Sequence, residues 1–327
     1  MKQIVYQEMG NPSEVLTIEE KPSRDLDRGE VRVAVLATPI HPSNLLKISG
    51  HYGIKPTFPA TPGTEGVGRV TEISAGVINL KLGQIVLILG YSTWQQELVG
   101  PASSFIPLPD DANIQQLSML TINPLTAMCL IEQFGNLDTG DWLVQNAANS
   151  AVGCYLIQLA KKRGIRTINV VRRESAVQGL YDIGADHVLI DGPELSSQIV
   201  KVADGNPITL AVDAVGGESF TKLTNALSFR GTIVCYGLLS MTEPVFPTSS
   251  VIFKELHVRG FWLAKWFELA TPQDKQNAIG KLIQLVSNGI LEVPIGHTFT
   301  LDEIHEAVQT ASQEGRGGKV LLIPNPS

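Results

Sequence analysis

The chain has 327 residues, 43% of them hydrophobic and 17% charged, with a formal net charge of −7 and a pI near 5.4. That length exceeds the roughly 100–200 residues of a usual domain, so two domains are expected, and the ordinary apolar content excludes a disordered chain. The acidic balance argues against a nucleic-acid partner, the widely spaced Cys129, Cys154 and Cys235 suit reduced buried thiols with no disulfide and no metal, and no apolar run approaches the ~20 residues of a membrane span.

The first segment, MKQIVYQEMG, has no apolar core of signal-peptide length and no Arg/Ser-rich leader, so a cytoplasmic protein is expected. Within residues 1–115, the stretches QIVYQ, LTIEEKP, EVRVAVLATPI, GVGRVTEI and QIVLIL read as short strands between Gly and Pro turns. They predict an antiparallel, barrel-like domain.

Residues 116–270 change period. LSMLTINPLTAMCLIEQF has helical spacing, and apolar strands then alternate with helix-length segments: WLVQNA (142–147), TINVVRR (167–173), HVLID (187–191), ITLAVDAV (208–215), GTIVCYG (231–237) and LHVRGFW (256–262). This pattern predicts an α/β domain with a doubly wound parallel sheet. The dense basic run Lys161-Lys162-Arg163 reads as a solvated last helical turn. In residues 271–327, an amphipathic helix near 272–288 precedes a strand, a helix and a strand in ILEVPIGHTFT, LDEIHEAVQTASQ and GKVLLIP, which are expected to return in part to the first domain.

Residues 144–164, VQNAANSAVGCYLIQLAKKRG, have the layout of a dinucleotide turn, but Ala148, Ser150 and Gly153 occupy its three glycine positions. Ala and Ser satisfy a tight turn less freely than Gly without forbidding it, and the free N–H groups at the helix start attract phosphate. The next strand ends in Arg172 and Arg173, where an acidic residue would bind the ribose 2′-hydroxyl of NAD. Arginine there pairs with a 2′-phosphate, which predicts NADPH over NADH; the other reading is a solvated strand end.

PGTEGVGRV (62–70) together with NPLTAMCLI and WLVQNAANSAVG resembles the medium-chain dehydrogenase/reductase superfamily over nearly the whole chain. That resemblance implies a GroES-like β-barrel domain beside a Rossmann-type domain. Zinc members carry a GHE motif where this chain has Gly63-Thr64-Glu65, and no Cys precedes Cys129, so a metal-free member is expected. HPSNLLKISGHYGIKP, DWLVQNAANSAVG, VVRRE and FPTSSVIFKELHVRGFWLAKW further resemble the mitochondrial-type trans-2-enoyl thioester reductases, although His41 and Asn44 stand where that family more often has Asn and Asp.

The resemblance implies NADPH-dependent reduction of the C=C bond of an enoyl-CoA or enoyl-acyl-carrier-protein, in a homodimer formed through the edge of the nucleotide domain. Tyr52, in GHYGIKP, matches a catalytic tyrosine. Hydride arriving at the β-carbon pushes negative charge onto the thioester oxygen, and a phenol, with its reference pKa of about 10, remains a donor to that oxygen at neutral pH. Phe261, Trp262 and Leu263 are implied to approach the nicotinamide and the acyl pocket, with Trp262 counted beside Tyr52 as catalytic. Asn149, Ser150, Ala151, Val152 and Gly153 are implied to line the phosphate turn, with Asn123, Thr126, Tyr236, Gly237 and Lys319 as further cofactor contacts. His41 reads either as a proton relay or as a capped turn residue before Pro42, and His51 as pointing away from the site. The competing functions are a quinone or enone reductase of the same branch and an NADPH-binding protein without catalysis.

Overall fold

The computed structural model describes residues 1–327 except Ala112 and Ser327. The chain forms two compact units: Met1–Thr121 with Lys281–Ser327, and Ile122–Gly280. The sequence boundaries were expected at 115/116 and 270/271. The second break instead falls inside the helix Pro272–Ser287, so chain connectivity there is not marked by a turn.

The first unit holds a small antiparallel ribbon of β1 (Lys2–Val5) and β2 (Thr17–Glu20). Its main sheet uses β3 (Glu30–Pro39), β4 (Gly66–Ile73), β5 (Ile85–Ile88), β6 (Glu97–Pro101) and β7 (Phe105–Pro107), and takes in β14 (Ile295–Phe299) and β15 (Lys319–Leu322) from the chain's end. The order is β14-β15-β3-β4-β5-β7, with β6 also paired to β3. Along β3, Val31, Val33, Val35 and Ala37 are fully buried while the residues between them are only partly so, the period-two pattern of a half-buried strand. β6 and β7 escape sequence reading because each is short and ends in proline.

Gly68 shows why GVGRV is glycine-rich. A Cβ there would stand 2.3 Å from Val33 Cγ1 and 2.7 Å from the Ala34 carbonyl oxygen, so β4 can approach β3 only without side chains. On its other edge β3 pairs antiparallel with β15, Leu321 opposite Pro39 and Leu322 opposite Thr38, and Ile40 N–H donates to Val320 O at 3.0 Å. That register carries Lys319 to His41.

The second unit is a six-stranded parallel sheet in the order β10-β9-β8-β11-β12-β13. Its strands are β8 (Trp142–Gln145), β9 (Arg166–Val171), β10 (His187–Ile190), β11 (Ile208–Asp213), β12 (Thr232–Cys235) and β13 (His257–Gly260). All six lie where the alternating pattern places them. The central strands β8 and β11 are buried almost throughout, whereas β13 at the edge is exposed along its whole length. The order reverses between β8 and β11, the switch point where ligands of doubly wound sheets bind.

The helix Ala151–Arg163 follows β8. Ser150 caps it by accepting from Gly153 N–H at 3.2 Å, Lys161, Lys162 and Arg163 complement the dipole in its last turn, and Gly164 at φ +70° ends it. Among the described residues no helix is long and apolar enough to cross a membrane.

Candidate active site

The turn after β8 achieves with polar side chains what a glycine-rich loop achieves with backbone freedom. Gln145 and Asn146 are buried at the strand end. Gln145 Nε2 donates to Gly153 O at 3.0 Å and to Asn169 Oδ1 at 2.8 Å. Asn146 Nδ2 donates to Asp213 Oδ1 at 2.6 Å and to Ser219 Oγ at 3.1 Å, while its Oδ1 accepts from Ala214 N–H at 2.8 Å. Asp213 also accepts from the N–H groups of Val215 and Gly216. These bonds tie the switch-point strands together under the turn.

The left-handed residue is Ala147, at φ +47°, one position before the expected first glycine. Gly153 is needed for space rather than for φ: a Cβ there would lie 2.4 Å from the Ala148 carbonyl oxygen. The turn therefore presents Asn149, exposed, and the half-buried Ser150, Ala151 and Val152 at the N-terminus of a 13-residue helix.

Other residues expected at the cofactor follow the carboxyl ends of neighbouring strands of this sheet. Arg172 and Arg173 are exposed directly after β9, and Tyr236 and Gly237 directly follow β12. The Tyr236 phenol is hydrogen-bonded with Ser150, and burial pushes it well above the ordinary tyrosine value. A Cβ on Gly237 would stand 2.9 Å from Ala214 O, so glycine allows the two backbones to approach closely at this end. After β13, the Phe261 ring meets Phe134 edge-on at 5.9 Å, Trp262 is 42% exposed, and Leu263 begins the helix Leu263–Leu269.

Asn123 and Thr126 lie in the first turn of the helix Asn123–Phe134 and are buried. Asn123 Nδ2 has no hydrogen-bond partner among the described residues. A buried amide donor left unmade costs about 1–3 kcal/mol, which suits a group that receives a ligand's acceptor. The helix N-terminus after β8 and the exposed arginines after β9 fit the phosphates of a dinucleotide, and the Asn123 amide is a separate buried donor open to a ligand.

The first unit holds Tyr52 and a buried polar cluster that the sequence shows only in part. Tyr52 is half-buried, two residues after Gly50, whose φ is +81° and whose missing Cβ leaves room for Met9. His51 beside it is exposed and its Nδ1 meets Ser49 Oγ at 3.1 Å.

His41 stands at the cap of the helix Pro42–Ile48, in line with its reading as a capped turn residue, and it is also buried: it is 1% exposed and its Nε2 lies 2.6 Å from Glu65 Oε1. Its Nδ1 stands 3.1 Å from Lys319 Nζ, which also donates to Ile40 O at 3.1 Å. Glu65 Oε2 accepts from Thr121 N–H at 2.6 Å and Thr121 Oγ1 at 2.7 Å. Lys319, expected as a cofactor contact, is thus 5% exposed with two of its donors used inside this unit. Glu65 is the residue sequence reasoning passed over. The sequence marks it only as the third residue of Gly63-Thr64-Glu65, and nothing local marks its partners, 24 and 56 residues away.

Burial pulls the Lys319 ammonium from the ordinary 10.5 down to about 7, with Glu65 opposing and Arg316 adding to the fall. Burial first, then the Lys319 charge, lowers His41 below the ordinary histidine range despite Glu65. Between pH 10.5 and 7 the unfolded chain holds a lysine proton that the fold does not, so stability is lost as pH falls through that window, and His41 extends the loss below 6.5. Burial pushes the thiols of Cys129, Cys154 and Cys235 up to about 12 from 9, which acts in the opposite direction above pH 9. Urea denaturation is therefore expected to show stability rising from pH 7 to 9, and Lys319→Met is expected to flatten that rise. An unchanged slope in the variant would show that Lys319 is an ordinary lysine.

Two family models match the chain: the alcohol dehydrogenase GroES-like domain over residues 27–110 and the zinc-binding dehydrogenase domain over residues 151–285. The mitochondrial enoyl-[acyl-carrier-protein] reductase of Dictyostelium discoideum is 36% identical over 323 residues, covering 96% of this chain and 92% of that protein. Among solved structures, a putative NADPH:quinone reductase from Bacillus thuringiensis superposes with a TM-score of 0.91 at 32% identity, over 99% of both chains. The Etr1p/NADP/crotonyl-CoA complex superposes at 0.90 with 26% identity, over 98% of this chain and 99% of that one.

Proposed function

Since the chain belongs to the mitochondrial-type enoyl reductase branch of the medium-chain dehydrogenases/reductases, we propose that it reduces the C=C bond of trans-2-enoyl thioesters with NADPH. NADPH, when bound, supplies the hydride for the β-carbon. The residues after β8, β9, β12 and β13 would hold the cofactor, with Asn149 to Gly153 at the diphosphate, Arg172 and Arg173 at the 2′-phosphate, and Tyr236, Gly237 and Phe261 to Leu263 along the remainder, joined by Asn123 and Thr126 from the helix before β8. Tyr52 donates its phenolic hydrogen to the thioester oxygen as charge develops there.

The observation that carries the reading is Tyr52, half-buried in the glycine-initiated GHYGIKP loop of a chain aligned over nearly its full length with an enoyl reductase. NADPH oxidation measured with crotonyl-CoA and a longer trans-2-enoyl-CoA, beside phenanthrenequinone, tests it. Turnover with the quinone alone would move the protein to the second reading, NADPH:quinone reduction, which the Bacillus thuringiensis structure favours. The physiological carrier under the first reading is CoA or an acyl carrier protein.

Replacing Arg172 and Arg173 together with Ala is expected to weaken NADPH binding about 10–100-fold, the equivalent of one charge-assisted hydrogen bond of ~1.5–3 kcal/mol, and to leave NADH binding unchanged. Equal losses for both cofactors, read by fluorescence titration, would remove the 2′-phosphate role.

We also propose a homodimer through β13. This edge strand leaves backbone donors and acceptors unpaired, and Phe253 (80% exposed), Ile252 (60%) and Val258 (36%) lie on or just before it. Sedimentation is expected to give a dimer that Val258→Asp dissociates; a monomeric native protein would refute the interface.

A further inference from the structure

We propose that the buried line Lys319–His41–Glu65 is a clamp that positions Tyr52, making all three positioning residues for the reduction. This inference rests on the catalytic role given to Tyr52 above.

The clamp closes on one end of a short rod whose other end carries the loop. His41 N–H donates to Asn44 Oδ1 at 2.8 Å, fixing the first turn of the helix Pro42–Ile48. At the far end, Ser49 N–H donates to Leu45 O, Gly50 N–H to Lys47 O and His51 N–H to Leu46 O, so the backbone leading to Tyr52 is bonded to the helix until one residue before it. Lys55 Nζ donates to Gly50 O and ties the outgoing side of the loop to the same point. A shift or rotation of the helix therefore moves the phenol with it.

The chemistry of the line fixes one arrangement. Lys319 offers hydrogen to Nδ1, so the imidazole proton resides on Nε2 and is donated to the Glu65 carboxylate. Glu65 is held in turn by Thr121, and its main-chain carbonyl accepts from Thr38 Oγ1 at 2.8 Å and Thr93 Oγ1 at 2.9 Å. The ring is held between Lys319 and Glu65, and turning it would break both bonds inside a buried cluster. The groups facing Lys319 are His41, Glu65 and Arg316, and those facing His41 are Lys319 and Glu65. A salt bridge serving only to join strands would not need an imidazole at the start of the helix that leads to Tyr52.

The test compares native protein, His41→Leu, His41→Gln and Lys319→Met by hydrogen exchange of peptides spanning 42–55, by NADPH titration, and by kcat with crotonyl-CoA. His41→Gln retains a side-chain amide that can donate to Glu65. The clamp predicts faster exchange confined to 42–55 in His41→Leu and Lys319→Met, kcat lower by about 10–100-fold with NADPH affinity preserved, and substantial recovery in His41→Gln. If His41→Leu does not fold, Lys319→Met carries the same comparison. Native exchange and native kcat in a folded Lys319→Met would overturn the clamp. So would a loss of NADPH affinity at unchanged kcat, which would make Lys319 a cofactor ligand. If native protein turns over no thioester but exchange at 42–55 still rises in the variants, the enoyl reductase reading fails and the mechanical clamp stands.

Discussion

Tyr52→Phe is expected to lower kcat for crotonyl-CoA about 100- to 1000-fold, the loss seen when one oxyanion donor is removed, while NADPH affinity stays at the native value. The ring survives the substitution, so the loss is that of the phenolic hydroxyl, which the proposed role directs at the thioester oxygen. The oxygen carries most of its charge after hydride has begun to move, hence the effect falls on kcat rather than on substrate binding. Because Tyr52 is half-buried in a loop attached to the helix Pro42–Ile48, little stability should change. A Tyr52→Phe enzyme with native turnover would return GHYGIKP to a structural role and leave the quinone reading as the stronger.

The second large effect is expected at Gly153. In Gly153→Ala the added Cβ would lie 2.4 Å from O, 2.7 Å from C and 2.8 Å from Cα of Ala148, all backbone atoms that cannot rotate away. The turn or the start of the helix Ala151–Arg163 must shift, and Gln145, which bonds Gly153 O, resists that shift from below. Overpacking of this kind costs about 1–3 kcal/mol, and displacing the helix N–H groups is expected to weaken NADPH binding at least tenfold. Denaturation and NADPH titration of the variant check both. Native affinity in a stable Gly153→Ala protein would mean that the diphosphate does not bind at this turn.

The contrast between Gly153 and Ala147 shows what a motif can convey. Of the three glycine positions expected from the dinucleotide pattern, the one that is glycine here is the one where a side chain has no room. The left-handed conformation falls on an alanine one place earlier than the pattern suggests. Alignment to a glycine pattern cannot reveal this, because the conformation depends on Asn146 and Gln145 being fastened to β11, β9 and the following helix. Those partners lie from 8 to 73 residues away.

His41 carries the same lesson for the first unit. Read locally, a histidine before proline is a capped turn residue or a relay, and the resemblance makes the lysine in GGKVLLI a cofactor contact. Neither reading anticipates that the pairing of β15 with β3 brings the two side chains, 278 residues apart, to 3.1 Å. Glu65 completes the line only because β4 lies beside β3 through two glycines.

The amino-acid sequence by itself determined the two kinds of sheet, the six strands of the nucleotide unit, the dipole-matched helix after β8, and the candidate residues that follow those strands. Each of these follows from periodicity, turn residues or a short motif, interactions that act within a few residues along the chain. Tertiary structure alone decided that the chain's last strand pairs with β3 in the register that sets Leu321 opposite Pro39, and that Asn123 is left with an unpaired buried amide. It likewise decided that Lys319, His41 and Glu65 share one dry line. Those outcomes depend on strand register and on burial, and both are set by contacts between segments that the sequence keeps far apart.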